Sequence, residues 1–437
     1  MKSSLPTLLH PLAGQPLLAH VFATAFSLKP TAVHAVIGHG AEQVKRELAD
    51  FDVNWVVQHE QLGTGHGVLQ ALPFVSADSA VLVLYGDVPL IGSETLESLV
   101  AMAGSGPALL TARVADATGY GRILRDGAGS LLGVVEHKDA SEAQRAVNEI
   151  NTGLLAAPAS DFLTYLPRVG NNNKQNEYYL PDILAMAVAE GRTVATCLAG
   201  SELEVLGVND RVQLNQLERE YQRRQAEHLM RAGVTVADIN RLDIRGSLSC
   251  GVDVSIDVNA VFEGEVSLGD GVTVGPNCVL RDVTVAAGVT IHAMSHLENA
   301  QVGPGCNVGP FARLRPGTVL AEGAKIGNFV ETKNANIGVG SKVNHLSYVG
   351  DCEMGEGVNI GAGTITCNYD GVNKHKTAIG AGVFVGSNST LVAPLQIGEQ
   401  GFVAAGSTVT KDVGRDELAV SRSRQRNIEG WQRPGKQ

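Results

Sequence analysis

Arg315, Lys333, His345, Tyr348, Asn359, Asn368 and Tyr369 fall in the segments FARLRPG, GNFVETKNA, VNHLSYVG and VNIGAGTITCNYDGVNKHKT. Two cations carried on neighbouring turns of a fold suit a phosphate monoester. Histidine is the side chain best suited to accept a proton near neutral pH, and the tyrosines and asparagines add neutral hydrogen-bonding groups. Taken one at a time each has a plainer use, the cations as solvated surface charges and the histidine as a turn residue; their grouping is what points to chemistry. In the first half, Asp87 ends the apolar run of LYGDVPL, where a carboxylate either holds a divalent ion or caps a loop. Asn209, in VND before a long helical pattern, reads as an N-cap.

The elements that must position these residues come in two rhythms. From about residue 15 to 210, short apolar runs such as AVHAVIGHG, VNWVVQ, AVLVLYGDVPL and ALLTARV alternate with helical segments such as AEQVKRELADF and GSETLESLVAMAG. That alternation predicts an α/β domain with a largely parallel sheet, whose ligands sit at the carboxyl ends of its strands. The opening MKSSLPTLLHPLAGQPLLAHV reads as a helix. Over 212–232, Leu214, Leu217, Tyr221 and Leu229 recur at near-helical spacing up to Gly233, which predicts a long amphipathic connector.

Beyond the connector, aliphatic residues return at every sixth position. They are Leu268, Val274, Leu280; Val302, Val308, Leu314, Leu320, Ile326; Ile337, Val343, Val349; and Ile379, Val385, Leu391, Ile397, Val403, Val409. A period of six is the mark of a parallel β-helix of hexapeptide repeats, each supplying one short strand and one turn. Aromatic residues at 5% and 51 glycines in 437 residues suit a core too thin for large rings and turns that need a permissive backbone. Handedness is not contained in the period. The spacing slips before Thr332 and Met354 and is lost over 364–380, which predicts a loop thrust out of the solenoid, where function concentrates.

A formal charge of −11, with no Lys/Arg-rich run, argues against nucleic acid or an anionic membrane as the main partner. The 6 cysteines are scattered without a CxxC pair, which predicts reduced thiols in a cytoplasmic protein. No apolar run is long enough to span a bilayer, so no integral membrane association is expected. Lys2, the leucines after it and FATAFS loosely mimic a secretory leader, but Pro6, His10, Pro11 and His20 interrupt it.

The strings NIGAGTITCNYDG and VNHLSYVG, with EQLGTGH, YGDVPLI, TGYGRI, VEHKDA, NEYYLPDI and EGW, resemble the bifunctional N-acetylglucosamine-1-phosphate uridyltransferase/glucosamine-1-phosphate N-acetyltransferase family over essentially the whole chain. The resemblance implies a Rossmann-like α/β nucleotidyltransferase domain over 1–211, a helical linker over 212–232, and an acetyltransferase domain over 233–437 that is a left-handed parallel β-helix. It implies a homotrimer with active sites between subunits. By it, His345 is the general base that takes a proton from glucosamine 1-phosphate; Arg315 and Lys333 hold the sugar phosphate, and Tyr348 and Asn359 the sugar. Ala362, Asn368, Tyr369, Ser387, Ala405 and Arg422 meet acetyl-CoA, with Lys374 a further contact. In the first domain Asp87 and Asn209 coordinate Mg²⁺ on the nucleotide phosphates of UTP. Gln58, Gly63 and Thr64 contact uracil, and Tyr85, Gly86, Gly121, Glu136 and Asn151 surround the nucleotide sugar. The implied second reaction joins N-acetylglucosamine 1-phosphate to the α-phosphorus of UTP, giving UDP-N-acetylglucosamine and pyrophosphate for cell-envelope polysaccharide.

Members begin with a strand and a loop of the form L-x-A-A-G-x-G-T-R-M, of which this chain shows only Met1, and Thr7 stands where LPKVLH has lysine. Two readings of the first half follow. It is an N-terminally incomplete uridyltransferase, or it is a non-catalytic scaffold or nucleotide-sugar-binding module on a working acetyltransferase. A sugar-nucleotide transferase of another type, with a purely regulatory repeat domain, conflicts with VNHLSY and TCNYDGVNKHK.

Overall fold

The computed structural model describes residues 1–104 and 106–435, which divide into two compact units, Met1–Tyr221 and Gln222–Gln437. The division falls inside the connector helix rather than at either end of it.

The first unit does not open on a helix. A 3₁₀ turn at Thr7–Leu9 and a tight antiparallel pair, Pro11–Leu12 with Gln15–Pro16, come first. Prolines at 6, 11 and 16 remove the amide donors a helix there needs. Then follow α1 (Leu17–Ser27), β1 (His34–Ile37), α2 (Ala41–Glu47), β2 (Asn54–Val57), α3 (Thr64–Ala71), β3 (Ala80–Val83), α4 (Ser93–Met102) and β4 (Ala108–Arg113). After them come β5 (Arg122–Arg125), β6 (Leu131–Val135), β7 (Glu149–Pro158), α5 (Ala159–Tyr165), α6 (Asp182–Ala189), β8 (Ala195–Leu198) and α7 (Arg211–Arg231).

The alternation of strand and helix is as the sequence predicts, but the sheet is mixed. β1 and β2 pair in parallel as a separate two-stranded sheet; in the six-stranded sheet β8 pairs in parallel with β4, whereas β7 runs antiparallel to β3, β4 and β5, and β5 to β6. The reason lies between β4 and β7. There the chain reverses through the β5–β6 hairpin, whose turn is held by the Asp126 carboxylate accepting from the Ala128 and Ser130 amides, instead of through a helical crossover. Leu96 and Leu99 of α4, Leu109 and Leu110 of β4, and Ile150, Leu154 and Leu155 of β7 are fully buried around this sheet.

The second unit is the parallel β-helix that the six-residue period predicts. One long sheet runs from Thr235–Val236 to Leu418–Ala419, and a second, bent sheet supplies the other strands of each coil, every described pair between coils being parallel. All the period-six residues named above are buried. One coil takes 17 residues from Lys325 to Lys342 and again from Lys342 to Asn359. The step from Asn359 to Phe384 takes 25 residues, and the surplus is the outward loop. That loop is narrower than the lost period suggests. Ile365–Cys367 and Thr377–Ile379 are regular strands of the coil, so only 368–376 leaves it.

The slip at Thr332 also has a cause. Thr332 occupies an inward aliphatic position at zero exposure, with its hydroxyl 3.0 Å from that of the equally buried Thr318. Thr318 in turn donates to the Arg315 carbonyl at 2.8 Å, and the Arg315 amide donates to the Thr332 carbonyl at 2.9 Å. Two hydroxyls inside an otherwise aliphatic core thus satisfy one another and pin the backbone of Arg315.

Glycines at the turns obey two different constraints. A Cβ on Gly338 would lie 2.1 Å from the Gly355 oxygen of the next coil, while Gly340 has open space around it and a φ of +64°. Gly338→Ala is expected to cost about 2–3 kcal/mol by forcing coils apart, and Gly340→Ala about 1 kcal/mol through backbone strain alone. Urea unfolding of the two variants checks the order; equal costs would contradict it.

Candidate active sites

In the β-helix, side chains stack in columns because each coil sits in register on the last. Arg313, Glu331 and Tyr348 form one outward column of the bent sheet, and Arg315 and Lys333 rise beside it on successive coils. Below them the neighbouring charges alternate: Arg245 and Arg281 each pair with Glu263, and Arg281 approaches Glu298. Among the described residues Arg315 is ion-paired with Glu331, at 2.8 Å.

Lys333 is different. The Lys374 ammonium, brought over it by the outward loop, and Arg315 lower its pKa, and among the described residues neither lysine is ion-paired with a carboxylate. The loop that carries Lys374 is folded back on itself: the His375 amide donates to the Asn368 carbonyl at 2.8 Å, and His375 Nε2 meets the Asp370 carboxylate at 2.8 Å. Hydrogen bonds from Asn373 and His375 hold the Asp370 carboxyl far below its usual range. The loop is anchored on Asp351, a nearly buried carboxylate that accepts from Asn334 on its own corner ladder and from Asn368 at the loop's root. Burial pushes the Asp351 pKa up, but the two amides and the charges of Lys374 and Lys333 outweigh it and bring it down. The Tyr348 hydroxyl is 3.4 Å from Asn368 Nδ2, and its ring occupies the space that a Cβ on Gly350 would fill.

His345 stands at the adjacent corner, exposed, with Nδ1 2.8 Å from Asn328 Oδ1 on the coil beneath. Above it the same column continues through Ala362, Ser387 and Ala405, as the amide bonds Gly363 to His345, Asn388 to Ala362 and Gly406 to Ser387 establish. Every side chain above His345 in that column is therefore small. The result is a smooth trough about 14 Å long over three coil spacings, and Arg422 closes its far end by donating to the Ala405 carbonyl at 2.7 Å. Asn359 lies across this corner, in the row over Lys342 and under Phe384. Tyr369 is on the outward loop, 60% exposed.

In the first unit the residues singled out from the sequence form a connected chain. Gln58 Nε2 donates to the Gly63 carbonyl at 3.2 Å, and Gly63, at φ +108°, sits where a Cβ would strike the Tyr178 backbone at 2.8 Å. Thr64 opens α3, accepts from the Leu180 amide at 3.1 Å and hydrogen-bonds the Tyr85 side chain. Burial pushes the Tyr85 hydroxyl up to about 12, with the Thr64 bond opposing. The Tyr85 ring lies on Gly153, where a Cβ would come within 2.3 Å of it. The Gly153 amide donates to Asn151 Oδ1 at 2.9 Å, the Asn151 amide donates to the Gly121 carbonyl at 2.8 Å, and a Cβ on Gly121 would meet Glu136 at 2.9 Å. Gly86 is packed between Leu8 and Leu18.

Asp87 faces the loop before α7: the Val208 amide donates to its carbonyl at 3.0 Å, and a Cβ on Gly207 would lie 3.5 Å from its carboxylate. Asn209 follows Val208 but is not the N-cap expected from the sequence: its amide donates to Gln213 Oε1 at 2.8 Å, and it is the Asp210 carboxylate that accepts from the first-turn amides of Val212 and Gln213, at 2.8 and 2.9 Å. Burial raises the Asp87 pKa, and among the described residues no cation pairs with it. Glu136 is raised as well, by burial first and then by Asp182, Asp139 and Glu177. A half-buried carboxylate with no cation paired to it among the described residues would suit a divalent cation held on Asp87 and Asn209. Thr7, on the 3₁₀ turn, adds no charge near the chain's start.

Sequence reasoning missed Asn328, Asp351, Gly153 and Asp182. Asn328 carried a usable signal, because it precedes His345 by one 17-residue coil. Gly153 and Asp182 lay inside NTGLL and NEYYLPDI without a spacing that singles them out.

Residues 1–153 match the MobA-like NTP transferase domain family, and residues 244–331 match the GMPPB C-terminal domain family. A bifunctional protein GlmU of Alkalilimnicola ehrlichii is 59% identical over 435 residues, covering 100% of this chain and 94% of the relative. Those of Marinobacter nauticus and Stutzerimonas stutzeri are each 57% identical over 437 residues, covering 100% of this chain and 96% of the relative.

Because the folded-state pKa of Asp87 is raised, the neutral acid is the form the fold favours, and its contribution is lost as pH rises through that pKa. Asp87→Asn is therefore expected to raise the unfolding temperature of the first unit at pH 7.5 in metal-free buffer, with the gain shrinking toward zero below about pH 4. Trp55, packed in the first unit's core, reports this transition in the full chain. A lower unfolding temperature at pH 7.5 would contradict the reading.

Proposed function

From its membership of the bifunctional GlmU family, to which this chain belongs, we infer that it is a transferase with two reactions. It moves the acetyl group of acetyl-CoA to the amine of glucosamine 1-phosphate, and then joins N-acetylglucosamine 1-phosphate to uridylate from UTP, releasing pyrophosphate. The observation that carries the first reaction is the place of His345, at the foot of a column of small side chains and beside a corner where Lys333 and Lys374 face each other with no carboxylate ion-paired to either among the described residues. The lysines and Arg315 suit the sugar phosphate, and the trough suits the extended arm of a thioester carrier lying over Ala362, Ser387 and Ala405 toward Arg422. Asn368 and Tyr369 border its loop side, and Tyr348 and Asn359 are the sugar contacts.

An ammonium is not a nucleophile, so the amine needs a base within reach, and His345 takes its proton as nitrogen attacks the thioester carbonyl. Holding both substrates along one corner supplies much of the remaining rate by proximity.

For the second reaction, the chain Gln58–Gly63–Thr64 offers a flat base close backbone approach, and Tyr85, Gly86, Gly121, Glu136 and Asn151 line the sugar nucleotide. Asp87 and Asn209 hold Mg²⁺, which when bound neutralises phosphate charge in the transfer. Uridylyl transfer belongs to 1–211, acetyl transfer to 233–437, and 212–232 links them. Thr7, neutral where the family has lysine, favours a second reading for the first unit alone, a nucleotide-sugar-binding module without transfer. A homotrimer accounts for the exposed apolar ridge beside His345, in which Phe311 and Phe329 stack at 5.1 Å and Leu346 is 63% exposed. Among the described residues no helix is long and apolar enough to cross a membrane, and all 6 cysteines are free thiols, which suits the cytoplasm.

Assaying both half-reactions on the full chain tests this. His345→Ala is expected to lower acetyl transfer about 10²–10⁴-fold and leave UTP-dependent pyrophosphate release within about twofold, and Asp87→Asn to do the reverse. Unchanged acetyl transfer would remove His345 as base, and absence of pyrophosphate release from the unaltered chain would select the second reading for the first unit.

A further inference from the structure

The geometry points to Asn328 as the positioning residue that sets the tautomer of His345. The inference rests on the reading of His345 as the base. Asn328 and His345 are register partners on adjacent coils, and the Leu346 amide donates to the Asn328 carbonyl at 3.0 Å, so the two backbones are locked together at this point. On the other side His345 is held through its own carbonyl, which accepts from the Ser347 hydroxyl at 2.8 Å. Within this frame the ring turns its Nδ1 down onto Asn328 Oδ1 at 2.8 Å.

An amide oxygen only accepts, so the proton of the neutral imidazole is held on Nδ1 and the lone pair is on Nε2. Nε2 is the nitrogen left to the exposed side of the corner, where the substrate amine must arrive. In the opposite tautomer Nε2 carries hydrogen and takes no proton. During transfer the amine nitrogen forms its bond to the acetyl carbon and gives its proton to Nε2. The carbon–sulfur bond breaks with its electron pair on sulfur, and the Nε2 proton passes to the thiolate. Nδ1–H stays on Asn328 throughout. An uncharged partner orients the ring without adding an anion that would favour the imidazolium.

The expected signature is direct. In long-range ¹H–¹⁵N spectra of the ¹⁵N-labelled full chain, with the signal assigned by its loss in His345→Gln, His345 shows a protonated Nδ1 and an unprotonated Nε2 at pH 8. Asn328→Leu, which keeps the bulk and removes the acceptor, mixes or reverses the tautomers. It lowers the kcat of acetyl transfer about tenfold or more with the KM of both substrates within about twofold. Asn328→Asp restores the acceptor oxygen and the Nδ1–H tautomer. A protonated Nε2 in the unaltered chain overturns the proposal, and so does an Asn328→Leu variant that keeps both tautomer and kcat. If His345→Ala leaves acetyl transfer intact, the base reading fails, while the spectrum still decides whether Asn328 sets the tautomer.

Discussion

The second unit depends on one constraint, the backbone register that seats each coil on the one beneath it. A parallel ladder repeats every 17 or 18 residues, so a side chain is placed next to another by their separation in sequence rather than by a search through tertiary packing. Arg315 beside Lys333, Asn328 beneath His345 and Ala362 above it are all consequences of that spacing. Even the polar interruption of the core serves it. Thr318 and Thr332 pair where two aliphatic side chains are expected, and the Arg315 backbone is fixed by the exchange. The geometry of the proposed acetyl-transfer site is inherited from the solenoid and needs little of its own.

Charge balance sets the sites apart from the scaffold around them. Lower in the β-helix, arginines and glutamates neutralise one another in an alternating ladder. At Lys333 and Lys374 the alternation stops and two cations face each other, balanced in part by Asp351; in the first unit Asp87 is half withdrawn from water, and among the described residues no cation pairs with it. Such arrangements are unfavourable in isolation and become favourable once a ligand of opposite charge arrives. The two sites are mirror cases, one with more cations than the Asp351 carboxylate offsets and the other with a carboxylate that no described cation pairs with.

The period of six made the β-helix legible, and the aliphatic residues that carried it are all buried. Legibility ended where side chains act across coils or across the sheet. Thr332 looked like a slip because its partner, Thr318, is 14 residues away and also polar. The break over 364–380 looked wider than the real loop because Thr366 and Thr377 point inward in place of aliphatic residues. In the first unit, strand and helix alternated as predicted, but pattern carries no strand direction, and the hairpin of β5 and β6 made the sheet mixed. The first-unit residues quoted from motifs touch one another through short hydrogen bonds and close glycine contacts, whereas Gly153 is visible only once the Tyr85 ring is seen lying on it.

The column above His345 also gives the molecule a unit of length. Ala362, Ser387 and Ala405 present nearly the same small profile on successive coils, and Arg422 marks where that profile ends. The distance from the His345 ring to the terminal cation is then a whole number of coil spacings, set by how many times the chain winds between them. Because the 25-residue coil spends its surplus outward at 368–376, that insertion leaves the pitch untouched. The β-helix therefore is a graduated scale, on which the proposed carrier arm would be measured by counting turns and not by the shape of any one pocket.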